Sequence, residues 1–314
     1  MLSRVANNLF WMGRYIERSE HIARYLNVNY FSSLDAPNEL SQSRQFVLRS
    51  MLFMASDPVK DPNIKLDEEK VLFDIALNKD NPVSIISYLQ HARENANSAR
   101  DLISTELYEA LNKFYHYTLN YPIDKFVKNG LYDFTVNVAE STSILKAKIR
   151  GTLLHDDVYS IMMLGVHIER ATQIVRIINA KYNDASLAGG SYGDHLQNSY
   201  EWTTLLKCAE SYDMMRRFYK KPPRSLTTLE FLILNPICPR SVMTCLNEVS
   251  KHISDLSQEK TPSKNSAEFL VGKVKSEYQF KLIEEIEEDL QSFIERILKQ
   301  LNDIAKKIEI EYFL

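Results

Sequence analysis

The sequence predicts an all-α protein, a bundle of about 10–12 helices in two pseudo-symmetric halves. Three observations lead there. Glycine and proline are scarce, at 8 and 10 residues of 314, whereas all-β folds need many turn residues. Apolar residues make up 45% of the chain, enough for a sizeable core. Two long segments match without a gap at a shift of 152 residues. These are Met12–Asn27, extended to Tyr30, and Leu164–Asn179, extended to Tyr182. Gly13, Ile16, Glu17, Arg18, Ile22, Arg24, Asn27 and Tyr30 are identical to Gly165, Ile168, Glu169, Arg170, Ile174, Arg176, Asn179 and Tyr182. A second match pairs Pro82, Ser84 and Leu89 with Pro239, Ser241 and Leu246 at a shift of 157. Two matches in the same order imply a repeat of half the chain, residues 1–152 and 153–314, packed as one structural domain.

In the first half helices are expected at 3–30, 41–56, 66–78, 82–98, 100–117 and 123–152. In the second they are expected at 157–182, 199–218, 225–235, 239–257, 264–278 and 280–312. Ser3 suits a helix N-cap. Pro82 and Pro239 suit a first helical turn, where the missing N–H has no partner to lose. Asp57-Pro58, Asp61-Pro62, Ala188–Gly193, Lys221-Pro222-Pro223 and Thr261-Pro262-Ser263 read as loops. The acidic run Glu284, Glu285, Glu287, Glu288 and Asp289 reads as a solvated face.

Composition excludes several classes. Seventeen Tyr and fourteen Phe argue against disorder. A net charge of −3 gives nucleic-acid binding no support. Three cysteines, Cys208, Cys238 and Cys245, form no disulfide framework or Cys-x-x-Cys pair, which fits a reducing compartment. No stretch approaches the roughly 20 apolar residues of a membrane helix. The expectation is a soluble, cytoplasmic protein. No His-x-x-x-His or Glu-x-x-His spacing, nucleophile elbow or Walker motif occurs, so no metal and no cofactor is expected. His155-Asp156-Asp157 reads as a helix cap. Arg216, Arg217, Lys220, Lys221 and Arg224 form the one basic run, either a solvated helix end or a docking patch for an acidic partner surface or a nucleotide-bearing enzyme.

The repeated Glu-Arg is the candidate site. At about 100° per residue Glu17 lies in line with Arg24, and Glu169 with Arg176. Arg14, Glu20 and His21 flank that line, and Met12, Tyr15, Ile16, Ile22, Ala23 and Leu26 form the core face. Adjacent helical residues project about 100° apart, so Glu17 and Arg18 must seek different partners. Gly13 and Gly165, one turn earlier, suit a close helix crossing. Two arrangements remain open. In one, Glu17 meets Arg170 or Arg176 and Glu169 meets Arg18 or Arg24, as ion pairs that set the register of the halves. In the other, the Glu/Arg/His cluster lines a pocket, with arginine holding a carboxylate or phosphate and glutamate orienting an amine or acting as base.

The opening Leu2–Arg18, with Ala92-Arg93-Glu94-Asn95-Ala96, Tyr200-Glu201-Trp202 and Leu232–Leu246 around Pro239-Arg240-Ser241, resembles the alpha-E domain family along essentially the whole chain. After Glu94 the chain departs from the family pattern, with Asn97-Ser98 where an arginine is expected. The resemblance implies a helical fold. It also implies association with circularly permuted ATP-grasp amide ligases and transglutaminase-like proteins, hence a role around amide-bond formation. Its signature positions are Glu17, Arg18, Glu169, Arg170, Arg93, Glu94 and Arg240. The leading expectation is a non-catalytic partner or substrate-handling module of such a ligase system. The alternatives are an enzyme doing acid–base chemistry on a peptide-like or carboxylate substrate, and a pure protein-interaction scaffold.

Overall fold

The structure is a computed structural model, and it describes residues 2–33, 44–56, 61, 64–187, 199–257 and 263–313. Most of the Asp57–Pro62 loop, the Ala188–Gly193 loop and Thr261-Pro262 lie outside these residues. The described residues form fifteen α-helices and no strand. The chain is all-α.

In the first half α1 is Ser3–Ser32, α2 Arg44–Met54, α3 Glu68–Ala76, α4 Ile85–Ser98, α5 Thr105–Leu119, α6 Ile123–Lys125 and α7 Leu131–Thr152. In the second α8 is Asp157–Leu187, α9 Ser199–Cys208, α10 Tyr212–Tyr219, α11 Ser225–Ile233, α12 Val242–Leu256, α13 Ala267–Gln279, α14 Ile283–Glu287 and α15 Leu290–Tyr312. Three expected helices are divided. Residues 123–152 are interrupted by a π-helical turn at Phe126–Gly130. Residues 199–218 break at Glu210, whose φ of 53° ends α9. Residues 280–312 break at Asp289, whose side chain accepts from Ser292 N at 3.2 Å and starts α15.

Two caps differ from expectation. Ser3 lies inside α1, because the carbonyl of Leu2 already accepts the first helical hydrogen bonds, from Val5 N and Ala6 N. Pro82 and Pro239 precede their helices, and the N-caps are Ser84 and Ser241. Both prolines sit in turns that match almost bond for bond at the shift of 157. Asn78 Oδ1 accepts from Asp80 N at 3.0 Å, and Asn235 Oδ1 from Ile237 N at 2.9 Å. Ser84 Oγ caps Ser87 N, and Ser241 Oγ caps Thr244 N. Asn78 N and Asn235 N each donate back to the carbonyl five residues earlier, of Phe73 and Glu230.

The two long helices α1 and α8 form the centre and run side by side in the same direction. Phe10 lies against Gly165, Glu17 against Arg170 and Asn29 against Lys181. Around them α4 and α7 pack on α1, and α12 and α15 on α8. One apolar cluster spans both halves, from Phe10 and Leu48 to Leu246 and Ile297. The helices touch at the paired glycines. A Cβ on Gly13 would stand 2.5 Å from the Met162 carbonyl oxygen. A Cβ on Gly165 would come closer still to that of Phe10, so the crossing requires glycine.

This crossing corrects the expected amphipathic reading of α1. Met12, Ile16, Ile22, Ala23 and Leu26 are core, but Glu17, Ser19, Glu20 and His21 are equally buried. A central helix with neighbours on every side has no solvated face. No described helix is long and apolar enough to cross a membrane.

Candidate functional site: a buried Glu–Arg latch

The close crossing places the turn of α1 that follows Gly13 beside the turn of α8 that follows Gly165, so each glutamate reaches the arginine of the other helix. Arg18 grips Glu169 with both arms, Nε to Oε1 at 2.6 Å and Nη2 to Oε2 at 2.9 Å. Arg170 grips Glu17 in the same way, at 2.7 and 3.1 Å. Neither glutamate pairs with the arginine next to it in sequence. The residue one turn on also caps each carboxylate. His21 Nε2 lies 3.2 Å from Glu17 Oε1, and Gln173 Nε2 donates to Glu169 Oε1 at 2.7 Å. His21 and Gln173 are themselves 152 residues apart.

The surroundings of the two pairs differ. Arg14 Nε gives Glu169 Oε2 a further bond at 2.9 Å, from a guanidinium lying 4.3 Å from the Trp11 ring centroid. Glu17 instead meets Lys146 of α7 at 2.8 Å and Arg240, before α12, at 3.4 Å. Arg240 and Lys146 also pair with buried Glu20, Arg240 at 3.0 Å. Arg24 bonds Glu20 at 2.5 Å and Glu210 at 2.9 Å, and Arg240 also pairs with Glu210.

Both signature carboxylates are saturated. A carboxylate offers about four lone-pair positions. Glu169 accepts four hydrogen bonds, and Glu17 has five donor or cation atoms within 3.4 Å. Burial pushes both carboxyl pKa values up, but neighbouring cations outweigh it. Arg170 and then Lys146 hold Glu17 well below the usual carboxylate range, and Arg18 and then Arg14 do so for Glu169. Burial lowers His21 to about 4 against its bond with Glu17, so its ring is neutral at pH 7.

Arg24 joins the cluster through Glu20 and Glu210, not through Glu169. The other expected site residues lie apart. Arg176 donates to the Met54 carbonyl at 2.6 Å, not to Glu17. Arg93 bonds Asn112 at 2.6 Å and lies over Tyr115, and exposed Glu94 accepts from Gln90, both on the α4–α5 side of the bundle. Arg240 is the one distant signature position brought into the cluster. Lys146, Gln173 and Glu210 belong to the cluster too. Sequence reasoning missed them because no local pattern separates them from solvated polar residues. Arg216, Arg217, Lys220 and Lys221 are exposed at the end of α10, which closes with Lys220 at φ 53°.

Nucleophiles are muted. Burial pushes the thiols of Cys208 and Cys245 up to about 11 and about 12. Asp156 Oδ1 accepts from Val158 N at 3.0 Å, which makes the His155-Asp156-Asp157 stretch a helix cap. A surface groove of about 460 Å³ between α5 and α7, lined by Glu106, Lys113, Tyr117 and Lys148, lies away from Glu17 and Glu169.

The fold and cluster define a helical-bundle protein whose two central helices are latched by reciprocal Glu–Arg pairs. The chain belongs to the Alpha-E family, a predicted alpha-helical domain with a conserved ER motif, whose model matches residues 1–313. No curated protein and no solved structure matches it.

Proposed function

We propose that this chain is a non-catalytic helical partner of an ATP-grasp-type amide ligase, with the Glu–Arg cluster as the latch that holds its two halves in register. The observation that carries the latch is saturation. Glu17 and Glu169 are wholly buried and have no acceptor position left for a substrate amine. A general base at neutral pH needs a pKa near 7, and both carboxyls are pulled the other way. The acid–base enzyme reading therefore loses its central residues. On this reading the two halves are copies of one unit. The reciprocal pairs and the two matched turns support that descent.

The ligase partnership rests on the family resemblance, in which alpha-E domains accompany ATP-grasp and transglutaminase-like proteins. The exposed run Arg216, Arg217, Lys220 and Lys221, with half-exposed Phe218 among it, is the docking patch this reading assigns to an acidic partner surface. Co-expression with an ATP-grasp protein of the kind the resemblance implies tests the proposal. Co-purification at low salt, weakened by charge reversal at Arg216 and Arg217, is the expected result. Failure to co-purify, with ligase turnover unchanged by adding this chain, overturns it.

A further inference from the structure

We propose that His167, His252 and Glu248 form a binding site for a divalent transition-metal ion of the zinc class, bridging α8 and α12. One ligand atom from each of the three lies within 4.8 Å of the others. Glu248 and His252 are one turn apart on α12, with Glu248 Oε2 3.9 Å from His252 Nε2. His167 comes from α8, the helix against which α12 packs.

His167 is the second, independent observation. Its side chain is 3% exposed, and neither ring nitrogen has a hydrogen-bond partner. A buried imidazole with both nitrogens unmet carries a desolvation cost that an apolar residue would avoid. The His252 ring lies beside it, with centroids 6.0 Å apart. A tetrahedral ion bonded to both rings at about 2.0–2.1 Å would hold those centroids about 5 Å apart. Donor atoms around such an ion are about 3.3 Å apart, so the trio closes by about 1.5 Å at most.

Asp255 Oδ2 stands 3.7 Å from His252 Nδ1 and is placed to orient the ring behind a metal bound at Nε2. Arg170 counts most against an ion at His167, and Glu17 already neutralises it, while Arg150 and Lys251 act in the same sense. Two nitrogen donors and one carboxylate favour zinc-like ions over magnesium or calcium, which prefer all-oxygen shells. The local sequence conceals the site because its third ligand is 85 residues from His252.

The test uses the full-length chain stripped with chelator and titrated calorimetrically with Zn2+ alone, then with Mg2+. The expected result is one equivalent of Zn2+ bound with Kd of micromolar or tighter, and no comparable Mg2+ binding. A hundredfold excess of Zn2+ over Kd should raise the melting temperature by about 4 °C. Glu248→Gln and His252→Gln should each weaken Zn2+ binding tenfold or more. Glu248 is half-exposed, so E248Q should melt like the parent when metal-free and remains decisive if H252Q fails to fold. Absence of stoichiometric binding, a loss below tenfold in E248Q, or equal binding of Mg2+ overturns the proposal.

Discussion

Glu169→Gln is the sharpest probe of the latch. The substitution keeps the shape of the side chain and removes its charge. Glu169 accepts two bonds from Arg18, one from Arg14 and one from Gln173, and is 0% exposed. The amide would turn an NH2 toward a guanidinium and leave Arg18 as an uncompensated, mostly buried charge. Breaking a buried pair from one side costs roughly 3–5 kcal/mol. At about 2.1 cal/mol/K per residue, 314 residues give an unfolding entropy near 0.66 kcal/mol/K, so each kcal/mol moves the melting temperature by roughly 1.5 °C. The expected fall is therefore roughly 5–8 °C by far-UV circular dichroism. Adding Arg18→Gln to Glu169→Gln removes the orphaned charge and should recover part of the loss. The control is Asp213→Asn, which breaks the exposed 3.8 Å pair with Arg216 and should shift melting by less than about 1 °C. If Glu169→Gln melts within 1 °C of the parent, as the control does, the latch argument is wrong.

Four further outcomes are expected. Gly165→Ala must push α1 and α8 apart, because its Cβ meets the Phe10 carbonyl oxygen, and should cost about 3 kcal/mol or more by denaturant titration. Gly151→Ala, whose Cβ meets nothing within 4 Å on helix α7, should be neutral or stabilising by up to about 1 kcal/mol. The pH dependence follows from His21, whose folded pKa of about 4 lies below its ordinary 6.5. Between those values the unfolded chain binds the extra proton, so His21 contributes stability above pH 6.5 that is lost as pH falls toward 4, about 3 kcal/mol in all. His21→Gln, which copies Gln173 beside the other carboxylate, should flatten that part of a stability–pH curve. Its complete persistence would show that His21 is not the titrating group. Glu94→Ala should change stability by no more than about 0.5 kcal/mol, since Glu94 is exposed and outside the cluster, and a larger loss would require a contact that the structure lacks.

What the sequence determines by itself is the helical class, the two long helices and the logic of the signature. Scarce Gly and Pro leave few breaks, and the 100° step between neighbours forbids Glu17 from pairing with Arg18. The paired glycines already mark the crossing. Tertiary structure decides the rest, because burial and partner choice depend on what approaches from far along the chain. A third Ile-Glu-Arg, at Ile294-Glu295-Arg296, has the same local spelling, yet Glu295 and Arg296 face solvent on α15. The dipeptide becomes a latch only where Gly13 and Gly165 let two backbones touch. Arg93 and Arg240 read alike in sequence, but only Arg240 follows a turn that ends beside Glu17 and Glu20. Lys146 reaches the same carboxylates from within helix α7. Whether a charged residue is solvated or locked in the core is a property of its neighbours, and no window of sequence contains them.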